Sequence, residues 1–268
     1  MKSQKMFVTM GLFLILFFSI QCNLKAQSLT GIIDSTTFRL YKNETQIGTI
    51  QYSLDANGQY QRDFIISMAG QEVKYRLKLV PDKNGNWQKA QIITPTDTVK
   101  VEKVDSAAVF TVKGKQYKVT LPSRYILYDN YGPVFESFVL KDYDMMKKGI
   151  QKFQRFLFPA KMEEVTLEYK GDEIRKVKEV EKTFLRFDMM LVGIKLQIWA
   201  DAANKIYLMN VPVQYAAFVR KGYEDLLKYR SEDPLLSKPS FEVRRETVQI
   251  TMRDSVKLAT DLYFPAGE

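Results

Sequence analysis

The chain has 268 residues, 46% of them apolar, with a formal net charge of +9 and no histidine. That is enough chain and enough apolar surface for one large domain or two modest ones, which excludes intrinsic disorder. Without histidine there is no Ser-His-Asp or Cys-His constellation and no imidazole metal ligand; with Cys22 as the single cysteine there is no disulfide or thiolate zinc site.

Residues 1–26 have the order of a secretory leader. Lys2 and Lys5 form a positive start, Met6 to Ile20 is apolar apart from Thr9, Gly11 and Ser19, and Leu24-Lys25-Ala26 offers a cleavage site. The run is shorter than the roughly 20 residues a membrane-spanning helix needs. Export to the periplasm or medium is the expectation. A lipid on Cys22 and a retained membrane anchor are the minor alternatives, and Gln21 is too bulky for a good lipobox. Loss of Lys2, Lys5 and Lys25 with the leader lowers the charge from +9 to +6. The remaining bases are interleaved with acids, which reads as a solvated surface and not as a nucleic-acid face.

From Phe38 to Leu121 the apolar period is two: Phe38 and Leu40; Ile50, Tyr52 and Leu54; Phe64, Ile66 and Met68; Val73 to Leu79; then Val99-Val101, Val109-Thr111 and Tyr117-Val119-Leu121. Glycine-bearing turns separate the runs at Asn57-Gly58, Ala69-Gly70, Asn84-Gly85 and Lys113-Gly114. Short connections predict an antiparallel meander. Met146, Ile150, Phe153 and Leu157 recur at helical spacing and predict a helix over Asp142–Leu157, with Lys147, Lys148, Lys152 and Arg155 on its outer face. That basic face could meet anionic lipid or a partner; solvation is the plainer explanation. Strands are predicted again at Val165–Tyr169, Ile174–Val180 and Thr183–Phe187, with a turn at Gly171-Asp172. A hairpin follows at Ile194–Ala200 and Lys205–Val211, then a second helix at Tyr215–Tyr229. Residues 231–240 carry two prolines and three serines and read as a linker.

Weak motifs are set against plain readings. Asn43-Glu44-Thr45 is a glycosylation sequon of a kind that occurs often by chance. Glu163-Glu164 with Glu168, and Glu224 with Asp225, are acid pairs in charge-rich segments and read as surface. Met145, Met146, Phe153, Phe156, Phe158, Met189 and Met190 could line an apolar pocket under a curved sheet, with core packing as the ordinary reading. No phosphate loop and no G-x-S-x-G elbow is present.

Residues 241–268 form a last alternating pair: Val243, Val248, Ile250 and Met252, a polar turn at Arg253-Asp254-Ser255, then Val256, Leu258 and Leu262. A lone hairpin buries too little to be stable in water and needs a sheet to join. The stretch V-Q-I-T-M-R-D-S-V-K-L-A-T-D-L-Y-F-P-A-G resembles the opening hairpin of the catalytic domain in CocE/NonD-type serine hydrolases, the X-prolyl dipeptidyl-peptidase-like family. The matches are Met252, Arg253, Asp254, Val256, Leu258, Ala259, Asp261, Tyr263 and Pro265. Ser255 departs from the family's usual glycine, which puts the turn type in doubt. The resemblance covers about a tenth of the chain. It implies an α/β-hydrolase domain with a Ser-Asp-His triad, none of which lies within residues 1–268.

The expected architecture is therefore mainly β: a leader (1–26), then a β-rich accessory domain (27–230) built as an antiparallel meander, curved sheet or half-barrel with about two helices. A linker (231–240) and the uncompleted first hairpin of an α/β-hydrolase domain (241–268) follow. The expected function is the accessory region of an exported serine hydrolase acting on ester or amide bonds. Its partner is a catalytic domain beyond Glu268, and the chain alone is inactive. No catalytic residue, metal or cofactor is assigned, and binding residues are left open. Nucleic acid is not expected as a partner, and membrane contact is expected only through a lipidated Cys22. The alternative is a complete exported binding protein, similar in pattern to LolA-like carriers, whose hollow holds a peptide or an acyl chain.

Overall fold

The first strand of the protein lies beside its fifteenth, and this closure shapes the molecule. The computed structural model describes residues 28–68, 70–129, 131–158, 161–229 and 243–265. The expected leader, Cys22 and the expected linker lie outside them. The N-terminal strands are β1 (Asp34–Lys42), β2 (Thr45–Leu54), β3 (Tyr60–Met68), β4 (Gln71–Pro81), β5 (Trp87–Ile93), β6 (Thr98–Val104), β7 (Ala107–Val112) and β8 (Lys115–Thr120). After the short β9 (Ile126–Tyr128) and one helix, α1 (Glu136–Asp142), come β10 (Ile150–Leu157), β11 (Lys161–Val177), β12 (Val180–Leu191), β13 (Ile194–Ala200), β14 (Ile206–Val211) and β15 (Ala216–Arg220). Short 3₁₀ segments occupy Pro212–Gln214 and Glu224–Tyr229.

These fifteen strands form one sheet in the order β8-β7-β6-β5-β4-β3-β2-β1-β15-β14-β13-β12-β11-β10-β9. Two meanders, β1–β8 and β10–β15, are joined edge to edge at β1 and β15, where Phe38 pairs with Arg220 and Leu40 with Phe218. All pairings are antiparallel except β9 with β10. The fold is mainly β, with one large curved antiparallel sheet. Side chains near its two ends touch. Trp87 of β5 donates its indole N–H to the Tyr125 hydroxyl at 2.8 Å and stacks on Phe156 of β10, ring centres 6.0 Å apart.

Residues 121–129 and 131–143 run through the hollow. Phe135, Phe138, Val139 and Leu140 are buried there, and the Phe135 ring meets Tyr60 edge-on at 4.9 Å. The meander's alternation supplies the facing layer, with Phe38, Ile50 and Phe64 in adjacent registers all buried. A smaller apolar cluster, distinct from that core, joins Val177, Phe184, Trp199, Leu208, Ala217 and Val219 beneath Leu226 of the second 3₁₀ turn.

Three hairpin turns are pinned by an aspartate. Asp55 Oδ1 accepts from the N–H groups of Asn57 and Gln59, Asp82 Oδ1 from Asn84 and Asn86, and Asp201 Oδ1 from Ala203 and Lys205, all at 2.8–3.0 Å. Gly58 and Gly85 then take the positive φ (84° and 77°) that a side chain resists.

Three expectations are corrected. The helix expected over Asp142–Leu157 is instead the end of α1, a turn, and strand β10, paired residue for residue with β11 from Ile150↔Glu168 to Leu157↔Lys161. Asp144 folds its carboxylate back onto the Met146 and Lys147 N–H groups, and Lys148 and Gly149 both have positive φ (50° and 63°), so no helix can propagate. The helix expected at Tyr215–Tyr229 is strand β15 followed by a 3₁₀ turn. Ala217 and Val219 face one apolar cluster and Phe218 the other, so a period of two was masked by apolar residues on both faces. Gly171 is a bulge and not a turn: β11 continues through it, with a register shift between Tyr169 and Gly171. In β7 the core-facing residues are Ala108 and Phe110, with Val109 only half-buried.

The terminal pair, β16 (Val243–Thr251) and β17 (Lys257–Pro265), forms a separate two-stranded sheet. Its register places Val248, Ile250, Leu258 and Leu262 on one face and Arg245, Thr247, Asp261 and Tyr263 on the other.

Candidate functional site

The segment that fills the hollow also carries charges into it. Asp129, just after β9, receives a two-pronged bond from Arg62 of β3 (Nε to Oδ2 and Nη2 to Oδ1, both 2.7 Å). The Tyr131 N–H donates to it as well, at 3.2 Å, while Arg62 Nη1 reaches the Tyr75 carbonyl at 2.8 Å. Every strong donor of that guanidinium therefore has an acceptor, which is the condition for keeping an ion pair dry.

The neighbouring pair is less well served. Glu136, the first residue of α1, and Arg155 of β10 are both 0% exposed. Arg155 Nη1 lies 4.0 Å from Glu136 Oε1, and its Nη2 lies 3.5 Å from Glu163 Oε2. The guanidinium stacks 3.4 Å above the Tyr128 ring. Among the described residues, both carboxylate oxygens of Glu136 lack a hydrogen-bond partner on another residue, as do Nε and Nη1 of Arg155. Burial pushes the Glu136 carboxyl up to about 7; Arg155 and the residue's own backbone N–H oppose the shift, and Asp129 adds to it. The chain of alternating charge reaches the surface at Lys161, 3.0 Å from Glu163. It is sealed from solvent at Glu136. A general acid must come within hydrogen-bond reach of its substrate, and Glu136, at 0% exposure, offers no such approach from solvent.

An open cleft of about 570 Å³ lies at the sheet's β9 end. Strand β9 pairs only with Arg155, Phe156 and Leu157, so the earlier half of β10 borders the cleft instead of another strand. Tyr125, Ile126 and Phe153 supply apolar lining; Arg124, Lys147 and Lys152 supply positive charge, with Asp142 and Asp144 between them. Arg124 pairs with Asp142 at 3.3 Å and Lys147 with Asp144 at 3.7 Å. No group of three or more metal-ligating side chains is assembled among the described residues.

The acids singled out in the sequence are not brought together. Glu163 serves Arg155, Glu164 takes Lys152 at 2.9 Å, and Glu168 takes Lys170 at 3.2 Å. Glu224 accepts from the Gly222 N–H and pairs with Arg39, and Asp225 accepts from the Lys178 N–H. The Met and aromatic set is also split. Phe156, Phe158 and Met189 are buried in the core, Phe153 is half-buried, and Met145, Met146 and Met190 are exposed. Asn43 of the sequon sits exposed in the β1–β2 turn. The sequence reading missed Asp129 and Arg62. The signal available was Arg62 at a core-facing register, two residues before Phe64.

In the terminal hairpin, Ser255 takes φ +65°, the left-handed geometry that a glycine would take there. The turn closes through Met252 N–H to Val256 O (2.8 Å) and Ser255 N–H to Met252 O (2.9 Å), with Asp254 Oδ1 accepting from the Val256 N–H at 3.1 Å. Asp261 receives Arg245 at 2.6 Å and the Thr247 hydroxyl at 2.7 Å across the polar face.

No family model matches the chain, and no curated protein matches it. Among solved structures, it is similar to a protein from Bacteroides fragilis described as exported and of YmcC-like fold. The identity is 9%, the match covers 74% of this chain and 96% of that one, and the TM-score is 0.26. A likeness that low carries no argument about function.

Proposed function

We propose that the chain is the N-terminal region of an exported serine hydrolase of the CocE/NonD type, acting on ester or amide bonds. In this reading residues 27–230 form an accessory domain, and residues 241–268 open the α/β-hydrolase domain that carries the triad. The observation that supports it is the unshared apolar face of the terminal hairpin. Ile250 and Leu258 pair across the strands yet stay 44% and 47% exposed, which suits a pair of strands made to join a further sheet. The matched residues act in the hairpin's own geometry: Asp254 and Ser255 in the turn, Asp261 in the polar ladder. The leader pattern supports export.

The alternative, an exported binding protein whose hollow holds an acyl chain or a peptide, has less support, because Phe135, Phe138, Val139 and Leu140 are buried in that hollow.

The test is the coding sequence that follows Glu268, together with an assay. An open frame containing G-x-S-x-G and a later histidine is expected, and the chain from Gln27 to Glu268 should leave Ala-Pro-p-nitroanilide and p-nitrophenyl butyrate intact. A stop codon directly after Glu268, or turnover by the purified chain, would overturn the reading.

A further inference from the structure

The turn between α1 and β10 is built to hold apolar side chains out in water. Asp144 accepts from the N–H groups of Met146 (3.0 Å) and Lys147 (3.3 Å). The Gln151 side chain brackets the Asp144 backbone, accepting from its N–H at 2.9 Å and donating to its carbonyl at 2.7 Å. The Tyr143 hydroxyl donates to the Gly149 carbonyl at 2.7 Å. Lys148 and Gly149 sit at positive φ, a conformation that costs free energy for lysine. So braced, the turn presents Met146 at 91% exposure, with Ile150 and Met145 exposed beside it.

Bases around the turn outnumber acids by one, Lys148. Lys147, Lys148 and Lys152 are exposed around the apolar tip, and Arg124 lies across the cleft behind it. The acids nearby are Asp142, Asp144, Glu164 and Glu168, the last opposite Ile150 in the β10–β11 register, each already within ion-pair distance of Arg124, Lys147, Lys152 and Lys170 respectively. Lys148 makes no ion pair among the described residues.

We infer that this turn docks the protein on an anionic phospholipid surface, with Met146 and Ile150 entering the interface and the lysines meeting headgroup phosphates. The chemistry favours lipid over a protein partner. Three apolar side chains fall well short of the roughly 800 Å² per partner of a stable protein interface. A bilayer needs only a shallow apolar wedge and diffuse positive charge, and flexible lysines can supply that charge to many headgroups at once. Methionine suits such a wedge because its unbranched, polarizable side chain adapts to an irregular surface. The inference is independent of the hydrolase reading, since it rests on the 144–150 turn and not on the terminal hairpin.

The experiment uses the chain from Gln27 to Glu268, which contains every described element, and vesicles of phosphatidylglycerol with phosphatidylcholine or of phosphatidylcholine alone. Co-sedimentation is expected on the anionic vesicles only, and it should weaken as salt shortens the reach of the charges. Lys147→Gln and Lys148→Gln should each lower binding by about fivefold. Met146→Asp, at a fully solvated position, should lower it by more while leaving the circular dichroism spectrum and thermal midpoint unchanged. Equal binding to both vesicle types, no binding to either, or anionic binding that survives Met146→Asp together with both lysine changes would overturn the inference.

Discussion

The curved sheet and the β16–β17 hairpin are written in the same alternating pattern, yet they end in different states. In the sheet, Phe38, Ile50 and Phe64 line up across adjacent strands and are sealed by the chain that crosses the hollow. In the hairpin, Ile250 and Leu258 meet across the strands with equal regularity and remain half in water. A cross-strand pair contributes about 0.2–1 kcal/mol, whereas fully burying one such side chain contributes roughly 1.5–3 kcal/mol. Alternation thus specifies a two-faced strand; the covering layer decides whether that strand is stable. The ion pairs differ in the same way: Arg62–Asp129 is dry and fully bonded, Arg245–Asp261 is open to solvent.

The comparison breaks most readily at Asp129. Asp129→Ala strands the Arg62 guanidinium in the core and should cost about 3–5 kcal/mol, read as a lower urea midpoint of the main transition. The paired replacement Arg62→Met with Asp129→Leu should restore most of it. Asp261→Ala in the hairpin should leave that midpoint where it was. If Asp129→Ala also leaves it unmoved, the dry and wet ion pairs are not different in kind.

The next effect belongs to Glu136. Its carboxyl is held up near 7 by burial, so the folded state keeps a proton that the unfolded chain releases above about 4.5. Stability should therefore fall as pH rises through the window from about 4.5 to 7 and level off above it, by roughly 3 kcal/mol in all. Glu136→Gln should flatten that slope in urea titrations at several pH values. An unchanged slope would locate the pH dependence elsewhere.

Smaller still is the strain at the β12–β13 turn, where Val192 has φ +48°, an outlying geometry for a β-branched residue. Val192→Asn should raise stability by about 1 kcal/mol, a shift of a few degrees in thermal midpoint. The smallest change is in the hairpin. Ser255→Gly should relieve its left-handed turn by about 0.5–1 kcal/mol, visible as better dispersed amide signals from residues 243–265, with the main transition unmoved.

Much of the sheet was legible because its strands are two-faced and its turns carry glycine. Phe38, Tyr52 and Leu77 alternate with polar neighbours, and position alone marks them as core. The two misread helices lie where that contrast fails. In β15 both faces of Ala217-Phe218-Val219 are apolar; in β10 the buried residue at an otherwise charged position is Arg155. The buried ion pairs were invisible for a related reason. Arg62 and Asp129 are 67 residues apart, and nothing local marks either as buried. The exposed methionines were legible as residues but not as a surface, because the turn that exposes them depends on Asp144 and Gln151 meeting seven residues apart.

The seam between β1 and β15 has a kinetic consequence. Asp34 and Arg220, bonded there at 3.0 Å, are 186 residues apart in sequence, and the first meander, the hollow-filling segment and most of the second meander lie between them. A chain emerging from its N-terminus can form neighbouring hairpins at once, but β1 keeps an unpaired edge until Ala216–Arg220 arrives. Contacts of such separation close late and slowly. The sheet is thus finished by the last of its own strands to be made, and a ribosome-bound chain stopped before Ala216 should expose the β1 edge to proteases or to a second chain.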